Sequence, residues 1–308
     1  MNSASSPAHL HTGGIAVLTG AASGFGLEAA KLALKHQMRV VMADVQEGAL
    51  HAAAAELKAQ GGDVTPVVTD VASADSVDAL AQATLRAYGV PNFVFNNAGV
   101  ASGGLIWENS VADWQWVLGV NLMGVVHGIR SFTPLMLEAA RKDSSWRGHV
   151  VNTASMAGLV SMPNSGIYNV SKHAVVTLTE TLHQDLALVT EQVHCAVLCP
   201  FFVPTGISQS DRNRPSHLAN PELTQSQLIS RAMGQKAVAR GKVSAAEVVE
   251  RVFTALQDGS FYIYSHPQAL QSVRTRMDDI LAPRAPTDAF ADRPDIGAQL
   301  RAALRADA

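Results

Sequence analysis

Short runs of consecutive apolar residues recur along this chain, separated by longer stretches whose apolar positions return every three or four residues. The runs are Ile15-Ala16-Val17-Leu18, Arg39 to Asp44, Val64 to Val68, Asn92 to Asn96, His149 to Thr153, Val193 to Leu198 and Phe261 to Tyr264. Continuous rather than alternating apolar character predicts strands covered on both faces, as in a parallel sheet. The stretches between predict helices over Leu27–Gln37, Glu47–Gln60, Ser73–Tyr88, Ser110–Arg141, Ile167–Thr190 and Ala245–Gln257. Ser73 is a plausible N-cap. Pro66 lacks an N–H for a ladder bond, which argues for an edge or a strand end. Strands alternating with helices from end to end give an α/β fold, a doubly wound parallel seven-stranded sheet with helices on both faces.

No linker rich in Gly, Ser or Pro interrupts the middle of the chain, so it reads as one domain. Residues 1–13 are expected to be a flexible N-terminus and 14–265 the main domain. Within it, 204–242 is polar, carries Pro215 and Pro221, and is a candidate lid. Residues 266–308 read as a C-terminal helix and tail. Its last part, from Ala282 with Pro283, Pro286 and Pro294, is expected to be loose.

Composition narrows the class. Hydrophobic residues make up 47% and charged residues 16% of the 308, so a sizeable core is expected. A net charge of −3 gives no reason to expect nucleic acid or an acidic membrane surface as a partner. No stretch is long and apolar enough to span a bilayer, and Met1 to Gly14 lacks the basic start and apolar core of a secretion signal. His9 and His11 read as two histidines on a flexible end rather than a metal site. The two cysteines, Cys195 and Cys199, stand four apart in a predicted strand. Their Cα atoms would be about 13 Å apart, too far for a disulfide. A reducing, cytoplasmic location is expected.

The join between the first strand and the first helix is Thr19-Gly20-Ala21-Ala22-Ser23-Gly24-Phe25-Gly26. Gly20, Gly24 and Gly26 allow a tight turn and let the backbone approach a pyrophosphate. The helix N-terminus then offers free N–H groups and partial positive charge. Asp44 ends the second strand, eighteen residues after Gly26. A carboxylate there can accept hydrogen bonds from the ribose hydroxyls of an adenosine and would repel a 2′-phosphate. Neither Ser23 nor Val45 supplies a cation for that phosphate. The expected cofactor is therefore NAD rather than NADP.

Tyr168 and Lys172 stand four apart in a predicted helix, on one face. An ammonium beside a phenol favours the phenolate, bringing the phenol toward the range where it can trade protons near neutral pH. Ser155 lies thirteen positions earlier. Hydride transfer builds negative charge on a carbonyl oxygen, and the hydroxyls of Ser155 and Tyr168 can both donate to it. Tyr168 can then deliver the proton, or remove it in the opposite direction.

Together these residues resemble the short-chain dehydrogenase/reductase family in its single-domain form, a Rossmann fold. The resemblance covers about residues 14–265. It rests on Thr19-Gly20-x3-Gly24-x-Gly26, Asp70-Val71, Asn96-Asn97-Ala98-Gly99, Asn121, Ser155, Tyr168-x3-Lys172 and Pro200-x4-Thr205. It implies a catalytic tetrad of Asn121, Ser155, Tyr168 and Lys172. Lys172 would hold the nicotinamide ribose and Asn121 would orient a water linking Lys172 to solvent. Gly20, Ser23, Gly24, Phe25 and Gly26 would form the phosphate turn. Asp70 and Val71 would face the adenine, and Asn97, Ala98 and Gly99 would floor the ribose. Pro200, Val203 and Thr205 would hold the nicotinamide. The family usually has glycine after that proline; here Phe201 and Phe202 follow, which would narrow or cover the site.

The expected substrate pocket includes Val100, Ser102, Ser155, Met156, Leu159, Met162, Ile167, Tyr168, Phe201 and Phe202. Mostly apolar, with no Arg or Lys placed to hold a carboxylate or phosphate, it implies a hydrophobic secondary alcohol or ketone. The leading reading is an NAD-dependent alcohol dehydrogenase or carbonyl reductase. An NADPH-dependent carbonyl reductase and a catalytically silent nucleotide sensor or scaffold are the alternatives. The long helices around 110–141 and 166–190 resemble those that pair subunits in this family, so a homo-oligomer, dimer or tetramer, is expected.

Overall fold

The computed structural model describes residues 13–305. The expected flexible N-terminus, apart from Gly13, lies outside the described residues, as do His9, His11 and the last three residues. Strands β1 (Ile15–Thr19), β2 (Arg39–Asp44), β3 (Val64–Val68), β4 (Phe93–Asn96), β5 (Gly148–Thr153), β6 (Val193–Cys199) and β7 (Tyr262–Tyr264) form one sheet. It has seven parallel strands in the order β3-β2-β1-β4-β5-β6-β7. Pro66 does lie on an edge strand, β3, opposite Met42.

Alternate residues of each strand feed two cores. Ala16 and Leu18 face helices α1 (Gly24–Lys35), α2 (Glu47–Ala59) and α8 (Ala245–Asp258). Val17 and Val94 face α3 (Ala74–Ala87), α5 (Gly124–Lys142) and α6 (Gly166–Val189). Fully apolar strands are thus explained by burial on both sides. Ser73 caps α3, its side chain accepting from the Ser76 amide.

Several boundaries differ from expectation. Helix α1 starts at Gly24, not Leu27, because the glycine turn itself is its first turn. The 110–141 stretch is α4 (Val111–Leu118) and α5 joined by a π-helical turn, Gly119–Met123. Pro134 sits inside α5, which runs through it. The 204–242 segment is ordered: after short 3₁₀ turns it forms α7 (Gln225–Ala239), with a capping box between Thr224 and Gln227. The tail is not loose up to residue 305. After α9 (Leu270–Leu281), the chain forms α10 (Pro294–Arg305), which packs on α7 with Phe290 and Leu300 buried. Among the described residues no helix is long and apolar enough to cross a membrane.

Candidate active site

The loops that leave the C-terminal ends of the strands open into one cavity of about 1360 Å³. In an open α/β sheet this is the end where ligands bind, at the point where strand order reverses, here between β1 and β4.

At one end of the cavity lies the glycine turn. Gly20 has φ +64°, and a Cβ on it would come within 3.0 Å of the Ala98 Cα. A Cβ on Gly26 would lie 2.2 Å from the Gly20 carbonyl oxygen. Gly26, expected in the phosphate turn, does not itself line the cavity. It lets α1 begin hard against the strand it follows. Ser23, at the N-cap, makes no side-chain capping bond, so the first N–H groups of α1 have no side-chain acceptor there. Such a cradle fits a pyrophosphate. Gly20, Ser23, Gly24 and Phe25 line it.

Asp44 lines the same end, and its carboxylate accepts from the Ala22 amide (3.0 Å) and the Gln46 amide (2.9 Å). The carboxylate thus braces the glycine turn from the end of β2. Asp70 and Val71 line the next stretch of wall, with Asp70 Oδ1 accepting from the Ala72 amide at 2.9 Å. Asn97, Ala98 and Gly99 follow. Thr19 has a part that its place in the motif does not reveal. Its Oγ1 accepts from the amides of Asn97 (2.9 Å) and Ala98 (3.0 Å), clipping the loop after β4 to the end of β1. Pro200, Val203 and Thr205 line the cavity after β6.

Ser155, Tyr168 and Lys172 meet on one wall. Ser155 leaves β5, its Oγ accepting from the Ala157 amide (3.1 Å) and donating to the Pro200 carbonyl (3.3 Å). Tyr168 and Lys172 stand on the first turns of α6. Burial pushes the Tyr168 phenol above its ordinary value, and a hydrogen bond with Ser155 pulls it back in part. Burial pushes Lys172 down to about 8, opposed by the neighbouring Cys199. Lys172 Nζ donates to the Thr153 carbonyl at 2.9 Å and lies 5.8 Å from the centre of the Tyr168 ring. The expected lowering of the phenol by this ammonium is therefore not what dominates here; removal from water is.

Asn121 does not reach the cavity. It is fully buried in the π turn, where its Oδ1 accepts from the Val100 amide (2.8 Å) and its Nδ2 donates to the Val100 carbonyl (2.9 Å) and Ser171 Oγ (3.1 Å). A π turn shifts the helical register by one residue, and here it carries the side chain that holds the Val100 backbone beside α6.

The other end of the cavity is only partly as expected. Val100, Ser102, Met156, Met162, Phe201 and Phe202 line it. Leu159 and Ile167 do not: Leu159 packs with Met156 and Val176, and Ile167 with Val100 and Trp116. Met156 is itself 1% exposed, so it is wall and core at once. Phe201 and Phe202 are 37% and 41% exposed, with ring centres 4.6 Å apart. Their rings narrow the cavity without burying themselves in it. The expectation of no Arg or Lys fails. The 204–242 segment brings Arg212, Arg214, Arg231, Lys236, Arg240 and Lys242 to the lining, and the C-terminal segment adds Arg293, Ile296 and Leu300. These come from far along the chain, which motif reading does not reach. Asp113, Trp116 and Asn164 also line the cavity but belong to no motif; the Ser110–Asp113 capping-box spacing is the sequence signal that points to the first. Among the described residues no cluster of His, Cys, Asp or Glu could hold a metal.

The short chain dehydrogenase family model matches residues 14–216. The chain is 35% identical over 269 residues to a 1-deoxy-11-beta-hydroxypentalenate dehydrogenase of Streptomyces arenae, covering 86% of each. It is 32% identical over 273 residues to a CLA biosynthesis dehydrogenase/reductase of Lactiplantibacillus plantarum, covering 87% of this chain and 93% of that one. Among solved structures, a short chain dehydrogenase/reductase from Burkholderia phymatum in complex with NAD superposes with a TM-score of 0.88. It is 48% identical, and the match covers 91% of this chain and 98% of that one.

Proposed function

The chain belongs to the short-chain dehydrogenase/reductase family, oxidoreductases that bind a nicotinamide cofactor, and from this premise we propose an NAD-dependent enzyme that interconverts a hydrophobic secondary alcohol and its ketone. The observation that carries the proposal is the convergence of Ser155, Tyr168 and Lys172 on a cavity that also takes in the glycine turn and Asp44.

When bound, the nicotinamide supplies or accepts the hydride. The first turn of α1 with Gly20, Ser23, Gly24 and Phe25 would hold the diphosphate, and Asp44 the adenosine ribose. Asp70 and Val71 would flank the adenine, with Asn97, Ala98 and Gly99 beneath the ribose. Pro200, Val203 and Thr205 would hold the carboxamide end and Lys172 the second ribose. Ser155 Oγ and Tyr168 Oη donate to the substrate oxygen as charge grows on it. Tyr168, its pKa raised by burial, is protonated at neutral pH and ready to act as an acid on a ketone. In the opposite direction it takes the proton from the alcohol. Lys172, at about 8, is mostly cationic at pH 7 and supports the phenolate then formed. Asn121 acts through the Val100 backbone.

Met162, Phe201, Phe202 and Trp116 favour an apolar substrate, and three of the lining cations are already engaged, Arg214 by Asp113, Arg231 by Asp211 and Arg212 by the Gly206 and Gln209 carbonyls. The hydroxyl in the name of the Streptomyces relative's substrate and the NAD in the Burkholderia structure agree with this reading. A homo-oligomer is proposed on the exposed apolar residues of the long helices, Met123 in the π turn and Val170, Leu188 and Val189 on α6. Cytoplasmic residence is proposed on two free, buried cysteines.

The test is initial rates with NAD⁺ and NADP⁺ across a panel of secondary alcohols. We expect NAD⁺ to be preferred by roughly tenfold or more, an effect of about 1.4 kcal/mol or above. A preference for NADP⁺ would overturn the role given to Asp44. Retained cofactor binding with no turnover of any alcohol or ketone would point to a nucleotide sensor instead.

A further inference from the structure

The carboxylate of Asp113 is fully buried and gathers five hydrogen bonds. Two come from its own capping box, the Ser110 amide (2.8 Å) and Ser110 Oγ (3.0 Å). The other three reach it from more than a hundred residues away: Arg214 Nη1 (2.7 Å), Asn220 Nδ2 (2.8 Å) and Gln227 Nε2 (3.2 Å). All three belong to the 204–242 segment. The Arg214 side chain is 9% exposed and that of Asp113 1%.

Arg214 does more than neutralise the carboxylate. Its Nε donates to the Leu218 carbonyl at 2.7 Å, closing the turn between them. Its guanidinium lies 5.0 Å from the centre of the Trp116 ring, one turn along α4 from Asp113. Leu218 packs against the cluster of Trp116, Val117 and Ile167, and Ile167 precedes Tyr168. Trp116, Arg214 and Leu218 all face the cavity. One buried charge pair therefore fixes the part of the segment that walls the substrate end.

We infer that Asp113 is a positioning residue for substrate binding: through Arg214 it latches the 211–220 part of the lid onto α4, shaping the substrate wall without touching the reacting atoms. The energetics favour a latch over a passive surface contact. Lifting this part of the lid breaks the bonds from Arg214 and Asn220 to Asp113 together, and removing one partner by substitution while the other stays buried is the change that costs an ion pair most. The far end of the lid has its own anchors. Ser226 Oγ accepts from the Leu105 amide (2.9 Å), and Ser230 Oγ donates to the Asn164 carbonyl (3.0 Å). Ser210, buried, accepts from the Ala101 amide at 3.0 Å and holds its own stretch, so loss of the latch should free 211–220 while α7 stays docked.

The inference rests on the oxidoreductase reading for its kinetic consequence, but not for its structural one. The experiment compares full-length wild type, Arg214→Met, Arg214→Lys and Asp113→Asn. It measures KM and kcat for the best alcohol of the panel, NAD affinity by the fluorescence of the reduced cofactor, and subtilisin cleavage under native conditions. For Arg214→Met we expect KM to rise on the order of tenfold or more, since one partner of a buried charged pair is gone. A change in kcat within about threefold, with NAD affinity kept, marks lost ground-state positioning. Subtilisin should cut within 211–220 at least several times faster, with Arg214→Lys restoring part of both effects. If Arg214→Met fails to fold, Asp113→Asn, which keeps the shape and loses the charge, should show the same pattern more weakly. Wild-type KM and cleavage in the variants would overturn the latch. Equal losses in KM, kcat and NAD affinity would also overturn it, showing a general structural role. If no alcohol is turned over, cleavage and NAD affinity still decide it.

Discussion

The two ends of the cavity are built by different means. At the cofactor end, backbone lies on backbone: a Cβ on Gly26 would stand 2.2 Å from the Gly20 oxygen, and one on Gly20 3.0 Å from the Ala98 Cα. At the substrate end, side chains meet side chains across long gaps, as Asp113 meets Arg214, Asn220 and Gln227. Close backbone contact admits almost no substitution. Side-chain bridges fix a wall while leaving its residues open to change, and they can be broken one at a time.

Substitutions at each end should separate the two constructions. The largest effect is expected for Gly26→Ala. Its methyl group meets backbone, which cannot rotate away, so it should cost more than about 2 kcal/mol and abolish NAD binding in the folded fraction. Urea melts and cofactor titration check this.

Lys172→Met should separate stability from chemistry. Burial holds the Lys172 ammonium at about 8, against a reference value of 10.5. Between those values the unfolded chain binds the extra proton, so wild-type stability rises with pH across that window and the burial cost is fully present below it. The variant should lose activity. Yet at pH 7 it should match or exceed the wild type in stability by up to roughly 2 kcal/mol, with the unpaired Thr153 carbonyl taken into account. Thermal melts should show that advantage fading from pH 8 to 10.5; an advantage that grows with pH would contradict the assignment.

Asp44→Asn removes the charge that repels a 2′-phosphate. The ratio of kcat/KM with NADP⁺ to that with NAD⁺ should rise about tenfold. The smallest effect is at a lid glycine. Gly234 lies inside α7, and nothing stands within 4 Å of a Cβ built on it. Gly234→Ala should stabilise by about 0.5–1 kcal/mol, by helix propensity alone. Destabilisation there would mean the lid is packed as tightly as the glycine turn.

The same contrast explains what could be read from the sequence. Strands buried on both faces announce themselves as apolar runs, and Pro66 marked its edge. Gly20, Gly24, Asp44, Asn97 and the Tyr168–Lys172 pair are local patterns, and the structure brings them together. The start of α1 was misplaced because glycines lower helix propensity, although here they are what the turn needs. The π turn at Asn121 depends on a bond to Val100, a contact local spacing cannot report. The lid and α10 carry little apolar periodicity of their own; their order comes from Asp113, Asn164 and the packing of Phe290 and Leu300. The rise in the Tyr168 pKa follows from burial, which a Tyr-x3-Lys spacing does not reveal.

The central claim is that Tyr168 moves the proton while Ser155 and Lys172 hold the site around it. Its most direct test is Tyr168→Phe, assayed for alcohol oxidation alongside NAD binding. The account predicts a fall in kcat of about 10²-fold or more, the usual contribution of a general acid or base, with NAD affinity within a few-fold of wild type. Turnover at the wild-type rate with phenylalanine in place would contradict it.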